Sequence, residues 1–238
     1  MLWFYSKNRV ICDAGFIMST EIENCSCPLC CSLDTHFYHQ DKLRSYLQCS
    51  HCKLVFVPQQ FHLSAQAEKA EYDKHDNSYA DQGYQRFLSR TWTPLKTRLK
   101  RQFTEAIQGL DFGCGEGAVL SKMAQADGFN MRNYDLYYFP QTEVLQQKYQ
   151  FISATEVIEH IADAHNVWLL LDRLLDQKGV LAVMTKRVLR AQAFANWHYK
   201  NDLTHVCFYS EFTFAYLASK FNWTFEIIDK DVVFLIKA

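Results

Sequence analysis

The sequence predicts an α/β chain: a mostly parallel sheet with helices on both faces, preceded by a small cysteine-rich module built around zinc. Three observations predict it. From Ala106 onward, short apolar runs alternate with helical periods, the pattern of a parallel sheet covered on both sides. A glycine-rich turn joins the first of these runs to a helix. Two Cys-x-x-Cys pairs, separated by 18 residues, lie near the N-terminus.

The 238 residues suffice for one ordinary α/β domain and an appendage, and 49% hydrophobic with 21% charged residues supports a core of normal size. The net charge of −1 provides no overall field toward nucleic acid or a membrane. Two acid-free stretches stand out: Arg86, Arg90, Lys96, Arg98, Lys100 and Arg101 in one, Lys178, Lys186, Arg187, Arg190 and Lys200 in the other. They read as solvated basic faces, with a surface for a phosphate-bearing substrate as the alternative. No apolar run approaches the length of a membrane span. The first residues make a poor secretory signal. Met18 reads as the natural start, and residues 1–24 as a disordered extension. Nine cysteines without a signal peptide point to metal binding in a reducing cytoplasm rather than to disulfides.

Residues 25–58 hold six of the nine cysteines. Cys27-Pro28-Leu29-Cys30 and Cys49-Ser50-His51-Cys52 each supply two thiolates from one tight turn, and a hairpin between them brings the pairs together. The spacing fits a four-thiolate tetrahedral zinc site with no open position, hence a structural ion. Cys25, Cys31 and His51 are the neighbouring alternatives. Residues 59–104 read as a helical connector, rich in helix formers at 65–72 and punctuated by Gly83 and Pro94. Tyr72, His75, Asn77, Asp81 and Tyr84 on it are candidates for a lid, with a solvated helix as the alternative.

Residues 105–238 form the main domain. Its strand candidates are 107–112, 131–135, 150–154, 180–185, 223–228 and 232–236; its helix candidates are 117–126, 164–175 and 210–221. Between strand and helix runs Gly109-Leu110-Asp111-Phe112-Gly113-Cys114-Gly115-Glu116-Gly117. Glycines here permit positive φ and let a ligand approach the backbone without meeting a Cβ atom. Free amides at the helix start attract an anionic group such as a carboxylate. Asp111 ends the first strand and Asp135 the second, where a carboxylate can hold a ribose diol.

The segment 110–117 resembles the signature loop of class I, Rossmann-like S-adenosylmethionine-dependent methyltransferases. The resemblance continues through Thr155-Glu156-Val157-Ile158-Glu159-His160 at the fourth-strand position and Lys178-Gly179-Val180 before the fifth. It implies that Asp111, Gly113, Cys114, Gly115 and Gly117 surround the methionyl end of the cofactor. Asp135 would bind the ribose, and Thr155 and Glu156 would lie alongside. One departure stands out: the interval from Asp135 to Phe151 is too short for another strand–helix unit, so adenine is expected against Leu136, Tyr137, Tyr138 or Phe139.

After the fifth strand comes a segment dense in aromatic, imidazole and carboxylate groups, from Phe194 to His205. It reads as an acceptor-pocket wall, with plain aromatic packing as the alternative. His205, His198 and Tyr199 are its catalytic candidates; an imidazole accepts a proton near neutral pH. Methyl transfer is an in-line attack on a sulfonium methyl, so alignment and desolvation dominate. A small-molecule acceptor is expected. The alternatives are an RNA methyltransferase gripping nucleic acid with its ribbon, and a non-catalytic cofactor-binding protein.

Overall fold

The computed structural model describes residues 25–74 and 77–238; the N-terminal extension and His75 lie outside them. The chain opens with strands β1 (Thr35–Gln40), β2 (Ser45–Cys49) and β3 (Val55–Phe56), followed by helices α1 (Ala65–Tyr72) and α2 (Gln82–Gln102). Next come β4 (Gln108–Phe112), α3 (Val119–Ala126), β5 (Asn130–Tyr134), β6 (Tyr149–Thr155), α4 (Ala164–Leu174) and β7 (Leu175–Met184). The short α5 (Ala191–Ala195) and β8 (Cys207–Phe208) precede α6 (Glu211–Phe221), β9 (Trp223–Ile227) and β10 (Val232–Lys237).

The six-stranded sheet has the order β5-β4-β6-β7-β10-β9. Strands β5, β4, β6 and β7 pair in parallel, and β10 lies antiparallel to both β7 and β9. Central strands β6 and β7 read as continuous apolar runs because helices cover both their faces. On one face α4 buries Val167, Trp168, Leu171 and Leu174, with Phe214 and Leu217 of α6 in the same core. On the other, Leu88, Trp92, Leu95 and Leu99 of α2 pack with Leu120 and Ala124 of α3. This is the Rossmann-like arrangement, and it leaves the loops after β4, β5, β6 and β7 at one end of the sheet.

Beyond β5 the chain turns back at once. Asp135 and Phe139 exchange backbone hydrogen bonds of 3.0 and 3.1 Å, and a single 3₁₀ turn, Thr142–Gln146, leads into β6. The strand–helix unit for which the sequence leaves no room has no counterpart here, and β5 is an edge strand.

Three local readings differ from the sequence expectation. Helix α2 runs straight through Pro94, its apolar stripe against α3 outweighing the lost backbone bond. Helix α3 starts at Val119 rather than at residue 117, because Ala118 adopts φ 43° to close the glycine turn. The cysteine-rich strands also do not stand apart. Val55 pairs with Phe208, and the Val57 amide donates to the Val206 carbonyl at 2.9 Å, so β8 is the fourth strand of the small sheet. The buried cysteines, Tyr46, Leu47 and Phe56 belong to the same apolar cluster as α4 and β6.

Candidate active site

The glycine turn is held from below by strand β5. The Gly113 and Cys114 amides donate to the Tyr134 carbonyl at 2.7 and 3.2 Å, and the Gly115 amide donates to Oδ2 of Asp135 at 3.0 Å. Gly113 and Gly115 adopt φ of 74° and 64°, a left-handed conformation that strains any residue bearing a Cβ. The two differ in surroundings. A Cβ on Gly113 would lie 2.5 Å from Val157 Cγ2, whereas one on Gly115 would meet nothing within 4 Å. Gly113 thus serves packing, and Gly115 faces open space. A Cβ on Gly117 would lie 2.0 Å from the Asn77 carbonyl oxygen. The segment before α2 therefore crosses the turn, and Asn77, Ser78 and Tyr79 line a cleft with Glu116, Gly117 and Lys122.

Two carboxylates flank the turn in different environments. Asp111 is only 1% exposed and accepts from the Ser153 hydroxyl at 2.6 Å. Burial pushes its carboxyl up to about 6, against the lowering effect of bonds to the Ser153 hydroxyl and Ser121 backbone. The same burial keeps the Cys114 thiol neutral. Asp135 is partly open. Its Oδ1 accepts from the Tyr137 and Tyr138 amides at 2.9 and 3.2 Å, shaping the turn that carries the exposed Leu136. Helix α1 straps this turn: Tyr137 donates to Glu68 at 3.0 Å, and Tyr138 to Asp73 at 2.7 Å. Tyr72, at its end, lies edge-on to His160 at 5.3 Å. Among the lid candidates, Asp81 caps α2 instead, accepting from the Gly83 and Tyr84 amides. Burial, then the nearby carboxyls of Asp111 and Glu156, push the Tyr84 hydroxyl up to about 12.

At the end of β6, Thr155 pairs with Met184 and Glu156 takes φ 52°, a strained backbone of the kind that clusters at functional sites. Tyr199 reaches this point from the aromatic segment. Its hydroxyl contacts Glu159 Oε1, Glu156 Oε2 at 3.2 Å and Thr185 Oγ1 at 3.3 Å. Burial raises both carboxyls above their usual range. His205 lies against Tyr199, with ring centroids 4.2 Å apart, and 4.6 Å from the His160 ring. Its Nδ1 is 2.7 Å from the Tyr199 carbonyl, which can only accept, so Nδ1 carries the proton and Nε2 the lone pair. His198 is exposed, its Nε2 accepting from Lys186 at 2.9 Å. The structure thus brings Tyr199 and His205 together with Glu156 and leaves His198 at the rim. Glu159 had no distinguishing mark in the sequence beyond its place in the 155–160 run, and its burial was not legible there.

The methyltransferase-domain family model matches residues 84–226. The chain belongs to that family. No curated protein matches it in sequence. Among solved structures, a SAM-dependent methyltransferase from Archaeoglobus fulgidus is similar at 17% identity and TM-score 0.42, over 60% of this chain and 76% of that one. A second is the 1,6-didemethyltoxoflavin-N1-methyltransferase of Burkholderia thailandensis, with 1,6-didemethyltoxoflavin and S-adenosylhomocysteine bound. It aligns at 15% identity and TM-score 0.46, over 85% of this chain and 99% of that one. The plantazolicin methyltransferase BpumL aligns at 13% identity and TM-score 0.46, over 72% and 90% of the two chains.

In this methyltransferase the cysteine module is wired to the aromatic segment. Arg44, 2% exposed, donates to the backbone carbonyls of Lys200, Asp202 and Leu203, and Lys200 pairs with Asp41 at 3.2 Å. The sulfurs of Cys27, Cys30, Cys49 and Cys52 all lie within 4.8 Å of one another, with Cys27–Cys52 and Cys30–Cys49 at 3.4 Å. A tetrahedron with Zn–S bonds of about 2.3 Å has edges of about 3.8 Å, so the four sulfurs fit one ion with little adjustment. Each knuckle closes the same way: Cys31 and Lys53, directly after the second cysteine, take φ of 61° and 59°. Cys31 is exposed, and His51 packs on Tyr216 rather than joining the sulfurs.

Proposed function

We propose that this methyltransferase moves the methyl group of S-adenosylmethionine onto a small molecule in the cytoplasm, with zinc as a structural ion at Cys27, Cys30, Cys49 and Cys52. The observation that carries the cofactor assignment is the open space at Gly115. A left-handed glycine amide bonded to Asp135 faces open space, next to Glu116 and Gly117 of the cleft. The bound cofactor supplies an electrophilic sulfonium methyl. Gly113, Cys114, Gly115 and Gly117 form its cradle, with Asp111 below them as the anionic group near the methionyl ammonium. Asp135 offers its carboxylate to the ribose, Leu136 lies at the adenine end, and Thr155 with Glu156 borders the reacting centre. Tyr199, His205 and, at the rim, His198 line the acceptor side, where they orient the acceptor and exclude water. The Nε2 lone pair of His205 is the group on this wall able to take a proton or a metal ion.

Small molecules are favoured over RNA by what four of the basic residues do. Arg90 pairs with Asp229 and Asp231, Lys96 with Asp127, Arg98 with Glu226 and Lys200 with Asp41. Cations engaged in this way are poor phosphate ligands. The ribbon strands likewise spend their apolar face on the catalytic domain. Among the described residues no helix is long and apolar enough to cross a membrane. The test is transfer of labelled methyl from S-adenosylmethionine into cell extract fractionated into RNA, protein and metabolites. Label in the metabolite fraction supports the proposal, and label confined to RNA overturns the choice of acceptor.

A further inference from the structure

Glu159, His160 and His205 form a second group of potential ligands that shares no residue with the cysteine cluster. Each offers one ligand atom, and the three atoms lie within 4.8 Å of one another. Glu159 comes from the turn after β6 and His205 from the aromatic segment before β8, so the fold rather than a local motif joins them. Three features prepare the group for a cation.

The tautomer of His205 is fixed. Nδ1–H donates to the Tyr199 carbonyl at 2.7 Å and turns Nε2 away from it, with the Asp202 carboxylate 3.7 Å from Nε2, the arrangement by which proteins orient metal-binding histidines. Next, Glu159 is fully buried, yet only one of its oxygens is satisfied: Oε1 accepts from the Tyr199 hydroxyl, while Oε2 has no hydrogen-bond partner among the described residues. A carboxylate oxygen withheld from water and from any donor is costly unless a cation meets it. The third feature is Glu156. It shares the Tyr199 hydroxyl, keeps its buried Oε1 unpartnered and sits in a left-handed backbone. Two buried carboxyls meet at one phenol, and neither forms an ion pair with lysine or arginine among the described residues. Lys186, whose ammonium lies 5.0 Å from the Tyr199 ring centroid, bonds to His198 rather than to either carboxyl.

We propose that Glu159, His160 and His205 bind a divalent first-row cation of the Mn²⁺ or Co²⁺ type, with Glu156 as the adjacent carboxylate and Tyr199 as the donor that orients Glu159. Two imidazoles with carboxylate oxygens suit such ions better than Ca²⁺, which prefers all-oxygen shells. The site is separate from the four-thiolate centre in position and in ligand type. His205 acts there by ligation, so the inference goes beyond the methyl-transfer reading, and its test uses metal alone.

Purified protein with its cysteine-bound metal quantified is titrated with Mn²⁺, and free Mn²⁺ is followed by electron paramagnetic resonance. One Mn²⁺ per chain is expected to bind, with ¹⁴N coupling from imidazole in the spin-echo spectrum of the wild type. Glu159→Gln and His205→Asn are expected to weaken it by about tenfold or more, and Tyr199→Phe by a smaller factor through the loss of the orienting bond. Circular dichroism reports whether each variant is folded. Absence of saturable Mn²⁺ and Co²⁺ binding in the wild type overturns the proposal. So does bound Mn²⁺ without nitrogen coupling, an observation that depends on no variant, or unchanged affinity in a folded His205→Asn.

Discussion

The Gly115 amide donates a 3.0 Å hydrogen bond to Oδ2 of Asp135, tying the turn after β4 to the end of β5. This one contact joins the two features expected to hold the cofactor, so substitutions on either side have separable consequences.

Gly115 and Gly113 are both left-handed, but only Gly113 is packed. Gly115→Ala is expected to cost about 1–2 kcal/mol of stability from backbone strain alone, and to weaken S-adenosylmethionine binding about tenfold or more as its methyl enters the cleft. Gly113→Ala, with its Cβ 2.5 Å from Val157, is expected to cost about 2–5 kcal/mol. Urea denaturation and calorimetry separate the two, and equal stability losses would contradict the assignment.

Asp135→Ala is expected to weaken both S-adenosylmethionine and S-adenosylhomocysteine by about 1–3 kcal/mol. Asp135→Asn keeps an acceptor for the Tyr137 and Tyr138 amides and is expected to fall between wild type and alanine. Unchanged affinity in the alanine variant removes Asp135 from the site.

The glycine turn was legible in the sequence because its spacing and its positive φ values are local demands that glycine meets. The two knuckles were legible from the Cys-x-x-Cys spacing alone. The missing strand–helix unit was legible as a plain shortage of residues. What joins Tyr199 to Glu159, or Arg44 to the carbonyls of 200–203, was not. Those contacts join segments far apart in the chain, alongside the pairing of β3 with β8, and no short-range pattern encodes that pairing. Pro94 misled for the opposite reason: a strong local signal was overridden by the tertiary packing of Trp92, Leu95 and Leu99.

Asp111 gives a pH dependence with a definite sign. Its folded pKa, about 6, lies above the ordinary value of 3.8, so protonation is favoured in the folded chain. The stability this contributes is full below about pH 4 and is lost as pH rises through 6. A cationic ligand prefers the ionised form, so S-adenosylmethionine is expected to bind about tenfold more weakly at pH 5 than at pH 7, by linkage to one proton. Asp111→Asn is expected to flatten that profile between pH 5 and 7. Calorimetry at three pH values checks it, and a flat wild-type profile would sink the idea.

Because Arg44 holds the carbonyls of Lys200, Asp202 and Leu203, loss of the cysteine-bound ion is expected to reach the acceptor wall. Cys30→Ser with Cys52→Ser should release zinc and raise amide hydrogen exchange across residues 198–206, while cofactor affinity stays within about threefold, since truncation effects at separate sites add. Exchange confined to residues 25–57 would show that the ribbon does not support the wall.

Titration of the wild-type chain with S-adenosylmethionine by isothermal calorimetry at pH 7.5 bears most directly on the central claim. One saturable site per chain is expected, with S-adenosylhomocysteine competing for it and Gly115→Ala diminishing it. No heat of binding for either compound in folded, zinc-loaded protein would contradict the assignment of the glycine cleft.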